Sequence, residues 1–171
     1  MIKLLASQLK LFLLALSFFT RIPSPIELDY KDLPRATVYL PVVGWVVGGI
    51  CALSFYLANL LWSQESAVML TIITGVLLTG ALHEDGFADV CDGFGGGYGK
   101  QRILEIMKDS HIGVYGVVGL LCLLILKFSV LSALPLNLVP WAILAGHTIS
   151  RLLTLFIMRE FEYARTLDSK A

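Results

Sequence analysis

Four long stretches of this sequence contain almost no charge. Ala36 to Trp62 has no charged residue, nor has Ser66 to Leu82. Gly113 to Leu134 carries only Lys127, and Leu138 to Met158 only Arg151. About 20 apolar residues in a helix match a hydrocarbon layer about 30 Å thick. The stretches do not alternate polar and apolar residues, as barrel strands would. The reading is an all-α, polytopic helical membrane protein in the lipid bilayer. Its spans are about 36–62, 66–82, 113–134 and 138–158, within one integral membrane domain, 1–171. Composition agrees: 57% of residues are hydrophobic and 15% charged, against about 25% charged in soluble domains. Thirteen basic and thirteen acidic residues cancel, so no nucleic-acid partner is expected, since that needs a basic excess.

Basic residues favour the cytoplasmic side. Arg21, Lys31 and Arg35 precede the first span, and Lys100, Arg102 and Lys108 lie between the second and third. Arg159, Arg165 and Lys170 follow the fourth, while links 63–65 and 135–137 hold no basic residue. This alternation places link 83–112 in the cytoplasm. Residues 2–19 carry Lys3, Ser7, Gln8 and Lys10 and read as an N-terminal interfacial helix or a fifth span. No small-x-small cleavage site follows them, so the segment is expected to be retained. Pro23, Pro25 and Pro34 are expected to keep the next connection irregular. Gly44, Gly48 and Gly49 fall on roughly one helical face and point to close helix packing. No disulfide is expected among Cys51, Cys91 and Cys122.

Link 83–112 breaks the apolar pattern. Glu84, Asp85, Asp89 and Asp92 occur together with no Lys or Arg before Lys100. Asp85, Asp89 and Asp92 are spaced i, i+4, i+7, one face if the preceding span continues as a helix. Like charges about 6 Å apart at an effective dielectric of about 20 cost roughly 3 kcal/mol per pair before screening. A divalent cation is the simplest counter-charge, and carboxylate oxygens suit Mg²⁺, which keeps waters and shares its shell with phosphates. His83 and Cys91 would suit zinc, but the donors are mainly hard oxygens. The expected metal ligands are Glu84, Asp85, Asp89 and Asp92. Asp85, Asp89, Asp92 and His83 are the candidate catalytic groups, a carboxylate or His83 taking a hydroxyl proton.

A glycine-rich run follows, and Gly95, Gly96 and Gly97 are read as a loop whose N–H groups meet phosphate oxygens. Gln101 to Ser110 is read as a helix with Glu105, Lys108 and Asp109 at i, i+3, i+4. Lys108, Asp109 and Ser110 are candidate phosphate contacts, with His111 a possible proton carrier. Ionisable groups inside spans carry a default suspicion of function. Lys127 is one. His147 and Arg151 share a face at i, i+4, and Arg151 either snorkels or contacts phosphate. A metal-carboxylate site beside basic residues suits attack of a hydroxyl on a nucleotide-activated diphosphate.

The run His83-Glu84-Asp85-Gly86-Phe87-Ala88-Asp89, then Asp92-Gly93-Phe94-Gly95-Gly96-Gly97, then Glu105 through Gly116, strongly resembles the cobalamin synthase family, the adenosylcobinamide-GDP ribazoletransferases. Phe18 to Pro23, Ser150-Arg151 and Tyr163-Ala164-Arg165 are similar to its other signatures. The resemblance implies a multi-pass enzyme of the bacterial inner membrane in late cobalamin biosynthesis. It would join adenosylcobinamide-GDP to α-ribazole, or its 5′-phosphate, with Mg²⁺ as cofactor and release of GMP. Family members continue into further apolar helices with a Gly-Gly-x-Thr-Gly-Asp motif, which this sequence does not contain. A complementing C-terminal part or a second copy of the chain is therefore an expected partner. The alternatives are a CDP-alcohol phosphotransferase relative, whose pattern has Ala-Arg where this chain has Ala88-Asp89, and a cation transporter using the acidic cluster.

Overall fold

The computed structural model describes residues 2–162 and is built from helices. Arg165, Lys170 and the Tyr163-Ala164-Arg165 match lie outside the described residues. The order is α1 (Ile2–Phe19), α2 (Leu33–Ala36), α3 (Leu40–Asn59), α4 (Gln64–Thr79), α5 (Leu82–Gly96), α6 (Lys100–Ile106), α7 (Val114–Ala133) and α8 (Val139–Glu160). Three helical stretches are long and apolar enough to cross a membrane: Tyr30–Asn59, α7 and α8. α4 and α5 reach that standard only as a pair bent by 90°.

Apolar sequence alone does not set where these helices stop; local chemistry does. α4 starts at Ser63, whose Oγ accepts from the Ser66 N–H at 3.4 Å, a side-chain cap. It ends at Gly80, whose φ of 66° lies in the left-handed region that glycine enters at no steric cost. The Gly80 and Ala81 N–H groups turn back to the Leu77 and Val76 carbonyls, closing the helix. Ala81 is also left-handed, at φ 60°, so two successive residues redirect the chain. The Arg21 N–H donates to the Leu78 carbonyl at 2.7 Å and pins the corner from outside. The expected continuation of the second span into the acidic segment is thus corrected. α5 is a separate helix, set at a right angle to α4.

The proline-rich lead-in also differs from its reading. Pro34 sits in the first turn of α2, where its missing N–H costs nothing, and two single turns flank that helix. The segment is irregular only before Tyr30. The predicted helix over 101–110 is shorter, ending at Ile106.

α3 is the centre of the bundle, packed on α8, α4 and α1. Val43, Val47, Cys51 and Phe55 of α3 are buried with Leu14 and Ala15 of α1, Val68 of α4 and Val139 of α8. At Gly44 and Gly48 the α8 backbone comes so close that a Cβ would meet it, whereas Gly49 faces open space. Two of the three glycines on that face therefore serve helix contact. At the far end of the bundle from α5, the Gln64 amide donates to the Ser132 and Leu134 carbonyls at 3.1 and 2.8 Å, tying α4 to the end of α7. α5 lies across the other end of the bundle, against α6 and the first turns of α7.

Candidate functional site

α5 carries all four carboxylates of the acidic run, and the structure divides them among different tasks. Asp92 is buried. Its two oxygens accept from the backbone N–H groups of Gly113 and Gly116 at 2.7 and 2.8 Å. These are unpaired donors of the first turn of α7, which has no side-chain cap of its own. A carboxylate there satisfies two donors and faces the positive end of the helix dipole. Glycine is required at both positions, because a Cβ on either would run into the Asp92 carboxylate. Asp92 was expected as a metal ligand and catalytic group; it is a cap between helices.

Glu84 sits a quarter turn from Asp85 and lines a cavity on the bundle side of α5. Its Oε2 is buried without a hydrogen-bond partner. Asp85 is exposed and Asp89 half-buried, one helical turn apart on α5. Among the described residues, no three His, Cys, Asp or Glu side chains gather closely enough to hold a metal ion. The expected four-carboxylate cage is therefore not formed. The donor set that remains fits Mg²⁺ in its usual open form, held by one or two carboxylates with phosphates and water completing the shell. Asp85 and Asp89 would be those carboxylates.

Most of the glycine-rich run is helix, and only its end, from Gly97, is a loop. Gly93, Gly95 and Gly96 are the last turn of α5, and the Gly97 N–H donates to the Gly93 carbonyl at 3.0 Å. A Cβ on Gly95 would strike the Tyr115 ring, and one on Gly97 would meet Ile103 of α6 at 3.0 Å. The glycines let α5, α6 and the start of α7 approach closely. The expected phosphate-cradling loop is corrected at Gly95 and Gly96, which are helical; Gly97 opens the short link to α6.

Lys108, Asp109 and Ser110 follow the end of α6 in a turn. They do not share a helical face with Glu105, which pairs with Arg102 at 3.3 Å. Asp109 instead accepts from the His111 N–H at 3.1 Å and meets the His111 Nδ1 at 2.6 Å, both side chains exposed. That contact holds the Asp109 carboxyl below the usual carboxylate range and lifts the His111 imidazole above its ordinary value. A raised histidine pKa means that the pair is fully present below the ordinary imidazole range and is lost as pH rises through the raised value. The His111 ring signal in NMR is expected to titrate above about 6.5, the ordinary value. Asp109→Asn should return the midpoint to that value; a wild-type midpoint at or below it contradicts the pairing.

The cavity behind Glu84 has a volume of roughly 400 Å³ and lies among α4, α7 and α8. Lys127, His147 and Arg151, the ionisable groups within the spans, all line it, with His83 at its α5 edge. Arg151 is 2% exposed. It does not snorkel to the surface. Its Nη1 donates to the His147 carbonyl at 3.1 Å and lies 3.2 Å from the His147 Nδ1. The sequence paired His147 with Arg151 on one face and marked Lys127 alone. It gave no sign that they meet Glu84 around one space, because their positions on three helices become neighbours only through packing.

The profile of the cobalamin-5-phosphate synthase family matches residues 11–171 of this chain. The chain belongs to that family. Among curated relatives, the protein named adenosylcobinamide-GDP ribazoletransferase in Shewanella amazonensis is 49% identical over 170 residues, covering 96% of this chain and 65% of its own length. The one in Vibrio cholerae is 46% identical over 173 residues, covering 99% of this chain and 66% of its own length. The one in Shewanella frigidimarina is 45% identical over 168 residues, covering 95% and 64%. This cobalamin-5-phosphate synthase family member thus spans about 65% of the length of the relatives it matches. No solved structure matches the chain.

Proposed function

We propose that this protein takes part in the reaction for which its relatives are named, joining adenosylcobinamide-GDP to α-ribazole or its 5′-phosphate in late cobalamin biosynthesis. The observation that carries this reading is the identity to those relatives along nearly the whole chain. In the proposed step a ribazole hydroxyl attacks the cobinamide-side phosphorus of the diphosphate. A new P–O bond forms, the P–O bond to the guanosine phosphate breaks, and GMP leaves. The hydroxyl proton goes to a base at the α5 end of the bundle, with Asp85, Asp89 and His83 as the candidates. Bound Mg²⁺ would offset the charge of the diphosphate and of the leaving phosphate. Asp85 and Asp89 are the residues we assign to holding it, and Lys108 to contacting a phosphate from the turn after α6.

The setting supports this reading. α5 carries polar groups at one end of an apolar bundle, where water-borne phosphates have access. The basic residues flanking the spans favour the cytoplasmic face of the inner membrane for that end. The reaction site of the whole protein includes any contribution from the region its relatives hold beyond this match, or from a second copy.

Membranes bearing the protein should be supplied with adenosylcobinamide-GDP, α-ribazole and Mg²⁺, and the products separated by chromatography. GMP and a cobalamin are expected together, only when both substrates are present, and chelation of the metal should abolish both. Asp89→Asn should remove turnover while the protein stays membrane-inserted. GMP release without a ribazole acceptor, or full turnover after chelation, would overturn the proposal.

A further inference from the structure

We infer that the cavity among α4, α7 and α8 is a binding site for a phosphate ester bearing an apolar group, gripped by Arg151 and Lys127. The inference does not depend on the reaction proposed for the α5 face. It starts from an incomplete set of hydrogen bonds. Arg151 is 2% exposed, and its Nε and Nη2 are buried without partners. Only Nη1 is engaged, by His147. A guanidinium unpaired at this depth is among the costliest groups a membrane protein can hold. The unpaired Nε and Nη2 form one side of the guanidinium fork, which matches two oxygens of a phosphate; both lie just beneath the cavity wall, so a ligand meets them as the Arg151 side chain turns into the cavity it lines.

Charge points the same way. Lys127 lines the same cavity from α7 and has no ion-pair partner among the described residues. The two cations are met by a single carboxylate, Glu84, which forms no ion pair with either within 4.0 Å. The balance of one positive charge calls for an anion. Glu84 Oε2, itself without a partner, adds an acceptor for a ligand hydroxyl. Farther from α5 the lining is apolar, with Ile72 and Ile143. A volume of roughly 400 Å³ falls within the range of about 300–1,000 Å³ common for small-molecule sites. α7 and α8 scarcely touch each other, so the space is open between them to an apolar group arriving from lipid. The ligand is thus a phosphate ester, either a soluble reactant or a lipid headgroup.

The test is calorimetric titration of the purified chain in neutral detergent with four probes: phenyl phosphate, inorganic phosphate, benzyl alcohol and dihexanoyl phosphatidate. Phenyl phosphate is expected to bind about tenfold or more tightly than either inorganic phosphate or benzyl alcohol. Arg151→Lys and Lys127→Met should each weaken phenyl phosphate about tenfold or more, as loss of a buried charge contact does, and leave benzyl alcohol unchanged. Lys127→Met keeps the test decisive if the Arg151 variant fails to fold. Tighter binding of phosphatidate than of phenyl phosphate supports a lipid headgroup; the reverse order supports a soluble ester. Equal affinity of the variants and the wild type for phenyl phosphate overturns the site. So does absence of phenyl phosphate binding accompanied by destabilisation in Glu84→Gln, which would make Glu84 the ion-pair partner of Arg151. Binding here without GMP release in the assay above would sustain the site and defeat only the proposed reaction.

Discussion

Asp92→Ala is expected to destabilise the folded protein by about 2–4 kcal/mol, because it leaves two buried N–H donors unpaired at the start of α7 and removes a negative charge from the helix N-terminus. The donors are those of Gly113 and Gly116, now held at 2.7 and 2.8 Å. Asp92→Asn keeps one acceptor oxygen and should lose roughly half as much. The loss should be the same with and without Mg²⁺, since the carboxylate works on the backbone. Unfolding by denaturant in detergent micelles, followed by tryptophan fluorescence, measures it. An Asp92→Asn variant as stable as wild type without Mg²⁺, but no longer stabilised by added Mg²⁺, would return Asp92 to the metal ligands. Asp89→Asn is the variant in which the stabilisation by added Mg²⁺ should be lost.

Gly44→Ala is expected to cost about 1–3 kcal/mol, the usual range for overpacking a tight contact. The new Cβ would stand 2.5 Å from the His147 carbonyl oxygen and 2.9 Å from the Thr148 Cα. Both are backbone atoms of α8, so no side chain can swing aside and the helices must part. His147 holds Arg151, so a parted α8 also shifts the cavity wall. Gly49→Ala is the matched control. Its Cβ meets nothing within 4 Å, and helix propensity predicts no loss or a gain of up to about 1 kcal/mol. Equal stability of the two variants under the same unfolding conditions would refute close packing at Gly44.

The spanning helices were legible because charge is so costly in lipid that its absence marks them. Their ends were not: the second span was bounded by charge alone and ran on past Gly80, where the chain in fact leaves the helix. Nor was the right-angle turn. It needs Ala81 in a left-handed conformation that sequence gives no reason to expect, together with the Arg21 N–H closing on Leu78. Gly95 and Gly96 read as a loop, with Gly97, because glycine is a poor helix former, yet they close α5. Contact with Tyr115 and Ile103 overrides that preference. One signal in the sequence pointed toward the role of Asp92. The helix beginning at Val114 has no Ser, Thr, Asp or Asn immediately before it, only Gly113, which leaves its first N–H groups open to a cap from a distant residue. The spacing of Asp85, Asp89 and Asp92 described their shared helix correctly. It could not reveal that a second helix would occupy the last of them.

The corner at Gly80 and Ala81 has a consequence for depth. With α4 standing upright in the bilayer, a helix turned by 90° lies level, and its residues share one stratum instead of descending through several. Asp85, exposed, and Asp89, half-buried, then stand at one depth. Lengthening α4 by a turn would raise the whole platform at once.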